Sequence, residues 1–323
     1  MKKFVLLLSV LATVFTSCED EKVILTTSSG NINNLSVIVE NDLWKGEVGD
    51  AIRTNLAATV EGLPQEEPLF NMNQIPPKAF SGFVTKNRTY LKVEKSDSIA
   101  LKIVRNQFAR PQTGVIAKGP DAASIAKLIN ERGADIVAVF KQTEIKEKQR
   151  RINKSLKADD VIKKKLGVSL KFPTAYRYAK EDDKFFWLRK DLKNGGMNIM
   201  IYEIPMQKID ADTNVISSII KMRDSIGQAH IPGPVDGSYM ITEAAYAPYL
   251  FESEIDGRFA YETKGTWEIK NAFMAGPFLN YTIEDKANNR YIVLEGFTFA
   301  PSAPKRDHMF ELEAILKSAK IGF

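Results

Sequence analysis

The chain of 323 residues contains a single cysteine, Cys18. One thiol cannot form an intramolecular disulfide, so a hydrophobic core must hold the fold together. The composition allows this, because 44% of the residues are hydrophobic and 26% are charged, as in ordinary globular proteins. These values exclude a disordered, collagen-like or coiled-coil chain. The length predicts about two domains.

The N-terminus has the pattern of a signal peptide. Lys2 and Lys3 precede an uncharged apolar run over residues 4–14. A membrane-spanning helix needs about 20 such residues, so the shorter run predicts a signal peptide over residues 1–17. Residues 15–17 with Cys18 resemble the lipobox of bacterial lipoproteins, although Phe15 replaces the usual leucine. The resemblance implies acylation of Cys18; the alternative is a plain secreted protein with an incidental cysteine.

Three acidic residues, Glu19, Asp20 and Glu21, directly follow the cysteine. They resemble a signal that sends lipoproteins of the Bacteroidetes to the cell surface. We therefore expect a polar tether over residues 18–33 and a lipid-anchored protein of the outer membrane that is displayed on the cell surface. The periplasmic face is the alternative location.

The basic residues cluster in one stretch. The chain has a formal net charge of +5, and residues 141–165 contain ten Lys or Arg against four Asp or Glu. No aromatic residue interrupts this stretch, whereas nucleic-acid binding surfaces combine cations with aromatic stacking platforms. We therefore expect no nucleic-acid partner. The stretch predicts either a solvated helix face or a patch that contacts anionic headgroups or a protein.

Hydrophobic periodicity predicts an α+β fold in two halves. In the first half, strands over 35–40, 88–94, 99–105 and 168–179 alternate with helices over 51–60 and 122–156. The strands 88–94 and 99–105 read as a hairpin, and the order βαββαβ is that of a ferredoxin-like domain. The long helix crosses Gly133 at a cost of about 1 kcal/mol; the alternative is a buried strand over 134–140.

The second half predicts an antiparallel sheet with helices. Its strands are expected over 184–190, 197–204, 257–269, 277–284 and 290–300, with one helix from Val215 and another ending near Lys320. The predicted organisation is a ferredoxin-like half at 34–180 and a second α+β half at 181–323, possible products of duplication. One continuous domain is the alternative.

The sequence contains no catalytic motif. Its two histidines, His230 and His308, lie outside any zinc-binding pattern, and the chain lacks a phosphate-binding loop and a nucleophile elbow. We therefore predict no catalytic residue, no metal site and no cofactor. Glu243, Glu262 and Glu268 lie on or near predicted strands, where a glycosidase pair is conceivable, but solvent-facing glutamates are the usual case.

Three other residues are candidate sites. Trp44 follows the first strand in a polar segment, which makes it a candidate for partner binding, whereas Trp187 and Trp267 are expected in the core. Ser98 and Ser225 each lie in an Asp-Ser-Ile triplet. This triplet resembles the sequon at which the Bacteroidetes O-glycosylate exported proteins.

Motifs along nearly the whole mature chain resemble one known family. The matching segments are Asn34-Leu35, Trp44-Lys45-Gly46, Gly49-Asp50, Leu69-Phe70, Phe186-Trp187-Leu188-Arg189, residues 202–205, Arg223-Asp224, Ile231-Pro232-Gly233, Gly237-Ser238-Tyr239-Met240 with Thr242, Gly265-Thr266-Trp267, Gly276-Pro277-Phe278, Glu295-Gly296 and Ala300-Pro301. The chain resembles an uncharacterised lipoprotein family of the Bacteroidetes that is catalogued only as a domain of unknown function. The resemblance implies an envelope location and no catalytic residue.

The predicted function follows from this address. We expect an outer-membrane lipoprotein that serves as a non-catalytic binding or scaffold module in envelope assembly or transport. Its expected partners are the membrane, through the lipid anchor, and envelope proteins. The alternative is a surface carbohydrate-binding protein or hydrolase.

Overall fold

The computed structural model describes residues 25–210 and 214–322. The segment predicted to be a signal peptide, Cys18 and the acidic residues Glu19, Asp20 and Glu21 lie outside the described residues. The predicted α+β class in two halves is confirmed. Among the described helices, none combines the length and the apolar character needed to cross a membrane.

The N-terminal half is a five-stranded mixed sheet with helices packed on one face. Its strands are β1 (Asn34–Ile38), β2 (Asn71–Ile75), β3 (Thr89–Lys95), β4 (Ala100–Arg105) and β5 (Thr113–Gly119). Its helices are α1 (Asn41–Lys45), α2 (Glu47–Leu56), α3 (Ala122–Glu131) and α4 (Gly133–Ile152). The strand order is β2-β1-β3-β5-β4, and only β4 runs antiparallel to its neighbour.

This strand order differs from the ferredoxin-like arrangement. The predicted hairpin between β3 and β4 does not form, because β5 lies between them and pairs with both. The sequence concealed β5 because it contains Gly114, which weakens a strand pattern. A Cβ atom at Gly114 would lie 2.2 Å from the ring of Tyr90. The glycine is therefore what allows the tyrosine ring to lie across the strand.

The predicted long helix is two helices. Arg132 separates α3 from α4 and has a non-helical backbone (φ −112°, ψ 13°). A Cβ atom on the next residue, Gly133, would lie 1.9 Å from Oδ1 of Asn55 on α2. Gly133 thus permits a close approach between α4 and α2. The alternative strand over 134–140 is also wrong, since those residues are helical.

The C-terminal half is built around an eight-stranded antiparallel sheet. Its strands are β7 (Arg177–Glu181), β8 (Phe185–Leu192), β9 (Gly195–Pro205), β10 (Met240–Thr242), β11 (Tyr249–Ile255), β12 (Arg258–Ile269), β13 (Ala272–Asp285) and β14 (Arg290–Phe299). The strand order is β10-β12-β13-β14-β9-β8-β7, with β11 also paired to β12. The helices are α5 (Asp160–Leu166), α6 (Val215–His230) and α7 (Arg306–Leu316). A separate pair joins β6 (Val168–Ser169) to β15 (Lys320–Ile321).

The structural boundary lies earlier than the predicted one. The strand predicted over 168–179 is divided into β6 and β7, which both belong to the C-terminal half. Ile162, Phe172 and Tyr176 pack in one core cluster with β9, β13, β14 and α7. The change from one half to the other therefore falls just after Ile152 rather than at 180/181.

The large sheet has two differently covered faces. On one face, Leu279 and Leu294 pack with Leu312 of α7; we call it the α7 face. On the opposite face, Tyr202 and Val293 pack with α6; we call it the α6 face. The strand predicted over 257–269 is confirmed, and its side chains alternate between the faces: Tyr261 and Trp267 pack on the α6 face, whereas Ala260 packs on the α7 face.

The basic stretch joins the two halves. Lys141 and Lys148 on α4 form ion pairs with Glu313 and Glu311 on α7, at 2.8 and 2.7 Å. Arg150 and Arg151, on the same helix, pair with Glu147. Lys141 and Lys148 therefore pair at the joint, whereas Arg150 and Arg151 are exposed and form the solvated helix face that was one of the two expectations for this stretch.

An arm from the N-terminal half also crosses the joint. We use "arm" for residues 57–69, whose two sides pair through a bridge between Thr59 and Pro68. The carboxylate of Glu67 accepts hydrogen bonds from the backbone N–H groups of Lys305 and Arg306, at 2.7 and 3.0 Å. These groups begin α7 and would otherwise lack partners. The N-terminal half thus caps a helix of the C-terminal half.

Candidate functional site

The α6 face is only partly covered by its helix. α6 ends at His230, the chain turns through residues 231–234, and a groove of about 430 Å³ lies between this turn and the sheet. We call it the aromatic groove. Side chains from the turn and from five strands line it, among them Trp187, Arg189, Asn198, Pro232, Trp267 and Phe299.

Two tryptophans form the walls of the aromatic groove. Trp187 is half-buried, and its Nε1 donates a hydrogen bond to Oδ1 of Asn198 at 3.0 Å. Trp267 is 2% exposed and packs edge-on against Phe297, with ring centroids 5.5 Å apart. Its Nε1–H has no hydrogen-bond partner. An unpaired buried donor costs about 1–3 kcal/mol, and this nitrogen lies beside Gly276 on β13, covered from solvent.

Planar polar groups accompany the tryptophans. Arg189 and Asn198 are register partners on β8 and β9. The Nε of Arg189 donates to Asp191 at 2.7 Å, and this hydrogen bond lowers the pKa of the Asp191 carboxyl. An amide and a guanidinium beside aromatic faces are groups that recognise ligands by stacking and by hydrogen bonds.

The turn above the groove is tightly built. The N–H of Gly233 donates to the carbonyl of Ser238 at 2.9 Å, and Pro232 bridges to Tyr239. A Cβ atom at Gly233 would lie 2.3 Å from Oγ of Ser238 and 2.4 Å from Ile269. The turn can pass this close to β12 only because a glycine occupies the position.

A second pocket, of about 580 Å³, adjoins the aromatic groove and shares Trp187 and Pro232 with it. There the Nζ of Lys180 lies 2.9 Å from Nδ1 of His230, whose ring stacks on Phe185 at 3.9 Å. Burial and the neighbouring Lys180 lower the pKa of His230. At neutral pH the imidazole is therefore neutral and accepts a hydrogen bond from the ammonium group.

A buried ion pair supports the floor of the groove. Arg223 of α6 donates two hydrogen bonds to Glu295 of β14, at 2.8 and 2.7 Å, and both side chains are at most 1% exposed. Asn280 donates to the same carboxylate at 2.8 Å, and the ring of Phe278 lies 3.4 Å from the guanidinium carbon. Because each charge is paired, the network fixes α6 on the sheet at a defined height.

The residues singled out from the sequence as sites do not line the groove. Trp44 lies on α1 of the N-terminal half, half-buried, with the guanidinium of Arg53 4.8 Å above its ring. Ser98 is exposed in the connection between β3 and β4. Ser225 is exposed on α6, and its hydroxyl donates to the carbonyl of Lys221 at 2.8 Å.

The conceivable glycosidase carboxylates also lie elsewhere. Glu262 is buried and pairs with Lys264 at 2.8 Å. Burial favours its neutral form, but Lys264 keeps the pKa of Glu262 below its ordinary value. Neither Glu243 nor Glu268 lines the groove. Over the part of the chain that the structure describes, no three His, Cys, Asp or Glu side chains are grouped as metal ligands.

Sequence reasoning did not find the aromatic groove, although the signal was present. The segments that carry the family resemblance include Trp187, Arg189, Pro232-Gly233 and Trp267, which lie far apart in the chain. The fold brings them together around one groove. Their convergence in space is the observation that singles out this region.

The C-terminal half is thus an antiparallel sheet that carries a helix and the aromatic groove on one face. The chain belongs to DUF4837, a family described as a domain of unknown function, which matches residues 155–318. Residues 28–153 match a second domain of unknown function, DUF8532. The expected family without a known function is thus confirmed. The two matches meet at the structural boundary after Ile152.

Solved structures show only distant likeness. The yeast (Saccharomyces cerevisiae) Ran-binding protein Mog1p is 7% identical, with 48% of this chain and 89% of that chain covered at a TM-score of 0.32. LpqN, involved in cell envelope biogenesis of Mycobacterium tuberculosis, is 12% identical, with 48% of this chain and 83% of that chain covered at a TM-score of 0.29. Human StAR-related lipid transfer protein 5 is 6% identical, with 54% and 97% covered at 0.24. At these scores the likeness carries no functional argument. No curated protein matches the chain.

Proposed function

We propose that the protein is a lipid-anchored, non-catalytic binding module of the cell envelope, and that the aromatic groove is its ligand-binding surface. The groove carries the proposal because it combines the half-buried Trp187 with planar polar side chains, Arg189 and Asn198, in about 430 Å³. Ligand sites are typically concave, largely apolar and equipped with a few placed polar groups. The stiff turn and the buried ion pair below keep this surface preformed, which reduces the entropy cost of binding.

Envelope proteins, the partners expected from the sequence, are the first candidate ligand of the groove, and carbohydrate is the second. Sugar rings stack their C–H faces on aromatic side chains and use their hydroxyls to accept and donate hydrogen bonds. Trp187 provides a face, while Arg189 and Asn198 provide donors. This arrangement favours a sugar-binding module over a hydrolase, because the groove-lining side chains are stacking and hydrogen-bonding groups rather than paired carboxylates.

Binding by the full-length protein in detergent tests the groove. The wild type is titrated with neutral oligosaccharides. In a separate experiment the wild type is immobilised, and the solubilised envelope-protein fraction is passed over it. Trp187→Ala should bind the oligosaccharide or the envelope protein at least tenfold more weakly, because the aromatic face of the groove is removed. Trp44→Ala is the matched control, since it removes a half-buried tryptophan from the other half. Equal binding by wild type and Trp187→Ala would refute the proposal.

The address is tested separately. Cys18→Ala should abolish acylation, so that the protein no longer partitions into detergent; unchanged partitioning would contradict the anchor. Replacing Glu19, Asp20 and Glu21 with alanine should leave the protein acylated but protected from protease added to intact cells.

Intact-mass spectrometry of the native protein tests glycosylation, where Ser98→Ala and Ser225→Ala should each remove a glycan-sized mass.

A further inference from the structure

The joint between the two halves encloses a cavity of about 310 Å³. The N-terminal half lines it with Leu63 and Leu69 of the arm and with Val137 of α4. The C-terminal half lines it with Leu279 of β13 and Met309 of α7. Apolar side chains from both halves thus face one space, at the kind of position where ligand sites commonly occur.

The charged groups around this cavity are already paired. Lys141 lies 2.8 Å from Glu313, and Lys264 lies 2.8 Å from Glu262 and 3.8 Å from Glu61. An anionic ligand would have to displace a carboxylate from its cation, and a cationic ligand would have to displace a lysine. The lining therefore favours a neutral molecule over either ion.

The volume sets the size of the ligand. A water-sized group takes about 30 Å³ in a liquid, so the cavity accommodates about ten non-hydrogen atoms. The apolar part of the lining offers such a molecule a surface on which to pack. Contact with both halves at once would make such a molecule part of the joint.

We infer that the cavity is a second binding site, for a neutral apolar molecule of about ten non-hydrogen atoms, such as a medium-chain alcohol. This site goes beyond the proposed function, because it lies on the α7 side of the large sheet and shares no lining residue with the aromatic groove. Its occupation would strengthen the association of the two halves.

Octan-1-ol and octanoate are the matched probes, since they have nearly the same size and differ in charge. The full chain carrying Cys18→Ala, which removes the acylation site, is labelled with ¹³C in its methionine methyl groups and followed by NMR. Met309 lines the cavity, and Met274 lines the aromatic groove. We expect octan-1-ol to shift the Met309 signal saturably and to raise the melting temperature, with Met274 unmoved and octanoate without effect.

Filling the cavity should abolish this response. Val137→Phe places a ring in the space and should weaken octan-1-ol binding at least tenfold, while Val84→Phe, in a half-buried position of the N-terminal half, should keep it. Leu63→Phe on the arm repeats the test if Val137→Phe does not fold. A Met309 signal that does not saturate, equal binding of octanoate, or unchanged binding by both filled variants would each overturn the inference. Failure of the aromatic groove to bind its ligand would leave these readouts untouched.

Discussion

Each half of the molecule contains one fully buried arginine–glutamate pair, and the two pairs do different work. In the N-terminal half, Arg88 binds Glu144 of α4 at 2.8 and 2.9 Å and also donates to the carbonyls of Gly30 and Asn31. In the C-terminal half, Arg223 binds Glu295 with the same two-pronged geometry. The first pair fastens the start of the described chain to a helix, whereas the second fixes the floor of the aromatic groove.

The difference teaches that the neighbours of a buried ion pair decide its role. Taking two charges out of water costs about as much as their attraction returns, so a buried pair is weak evidence of net stability. Its geometry, however, fixes the position of both elements that carry it. Next to a terminal segment this position holds the chain end in place; next to an open groove it shapes a binding surface.

Breaking either pair should give the largest effect. Arg223→Met and Arg88→Met each leave a carboxylate buried without its partner, which typically costs about 3–5 kcal/mol of unfolding free energy. Urea denaturation measures this loss. Only Arg223→Met should also move the methyl signal of Met274 in the groove. If Arg88→Met moved that signal equally, the distinction between the two pairs would be lost.

Acid should weaken the joint between the halves by a somewhat smaller amount. Burial raises the pKa of Glu313, but Lys141 and Lys317 outweigh it and lower the pKa to about 2. A carboxyl with a depressed pKa contributes stability above its ordinary value of 4.5 and loses it as the pH falls towards 2. At about 1.4 kcal/mol per pKa unit, the loss is about 3 kcal/mol. The unfolding free energy of Glu313→Gln, measured between pH 5 and pH 2, should therefore fall less steeply than that of the wild type; parallel curves would contradict this.

Gly133→Ala should cost about 2 kcal/mol, the range expected when a packed contact is overfilled. The added methyl group would meet the side chain of Asn55 and push α4, with Glu144 on it, away from α2. Thermal and urea unfolding measure the effect. Asn55→Ala in the same chain removes the obstructing oxygen and should recover part of the loss. A more stable Gly133→Ala variant would mean that the two helices are not in close contact.

Trp44→Ala should give the smallest effect, about 1 kcal/mol, because the ring is half-buried and contacts the N-terminal core and Arg53. It should leave ligand binding at the groove unchanged, whereas Trp187→Ala should lose binding. The two variants thus separate a tryptophan that packs from a tryptophan that recognises. Loss of binding in Trp44→Ala would place the partner surface on the N-terminal half instead.

The sequence predicted those elements whose pattern is local. The strand β12, for example, was predicted from its own residues and is confirmed. The strand β5 was missed and Gly133 was placed inside one long helix, because Gly114 and Gly133 each look like a weakened element until the neighbour of each is known. Those neighbours, Tyr90 and Asn55, are distant in sequence and came close only in the folded chain.

The candidate site was less accessible to sequence reasoning for the same reason. Trp187 and Trp267 were both expected in the core, and only Trp267 is buried. Whether a tryptophan on a strand is covered depends on where α6 ends and where the following turn passes, and no local pattern contains that information. The pairing of Lys141 and Lys148 across the joint was not predicted, because their acidic partners, Glu313 and Glu311, lie 172 and 163 residues further along the chain.

The cap that Glu67 places on α7 has a consequence for the order of events during synthesis. Its two hydrogen bonds join residues 238 and 239 positions apart. A chain made from its N-terminus can complete the first sheet early, because β1 to β5 lie within its first 119 residues. The arm then has no helix to bind until nearly the whole polypeptide has emerged. Closing so long a loop is also slow, since distant contacts return their energy only after the entropy of closure is lost. The contacts of α7 with the arm and with α4 therefore form late, and a chain truncated before Lys305 would lack them while keeping the residues of the ion pair between Glu61 of the arm and Lys264 of β12.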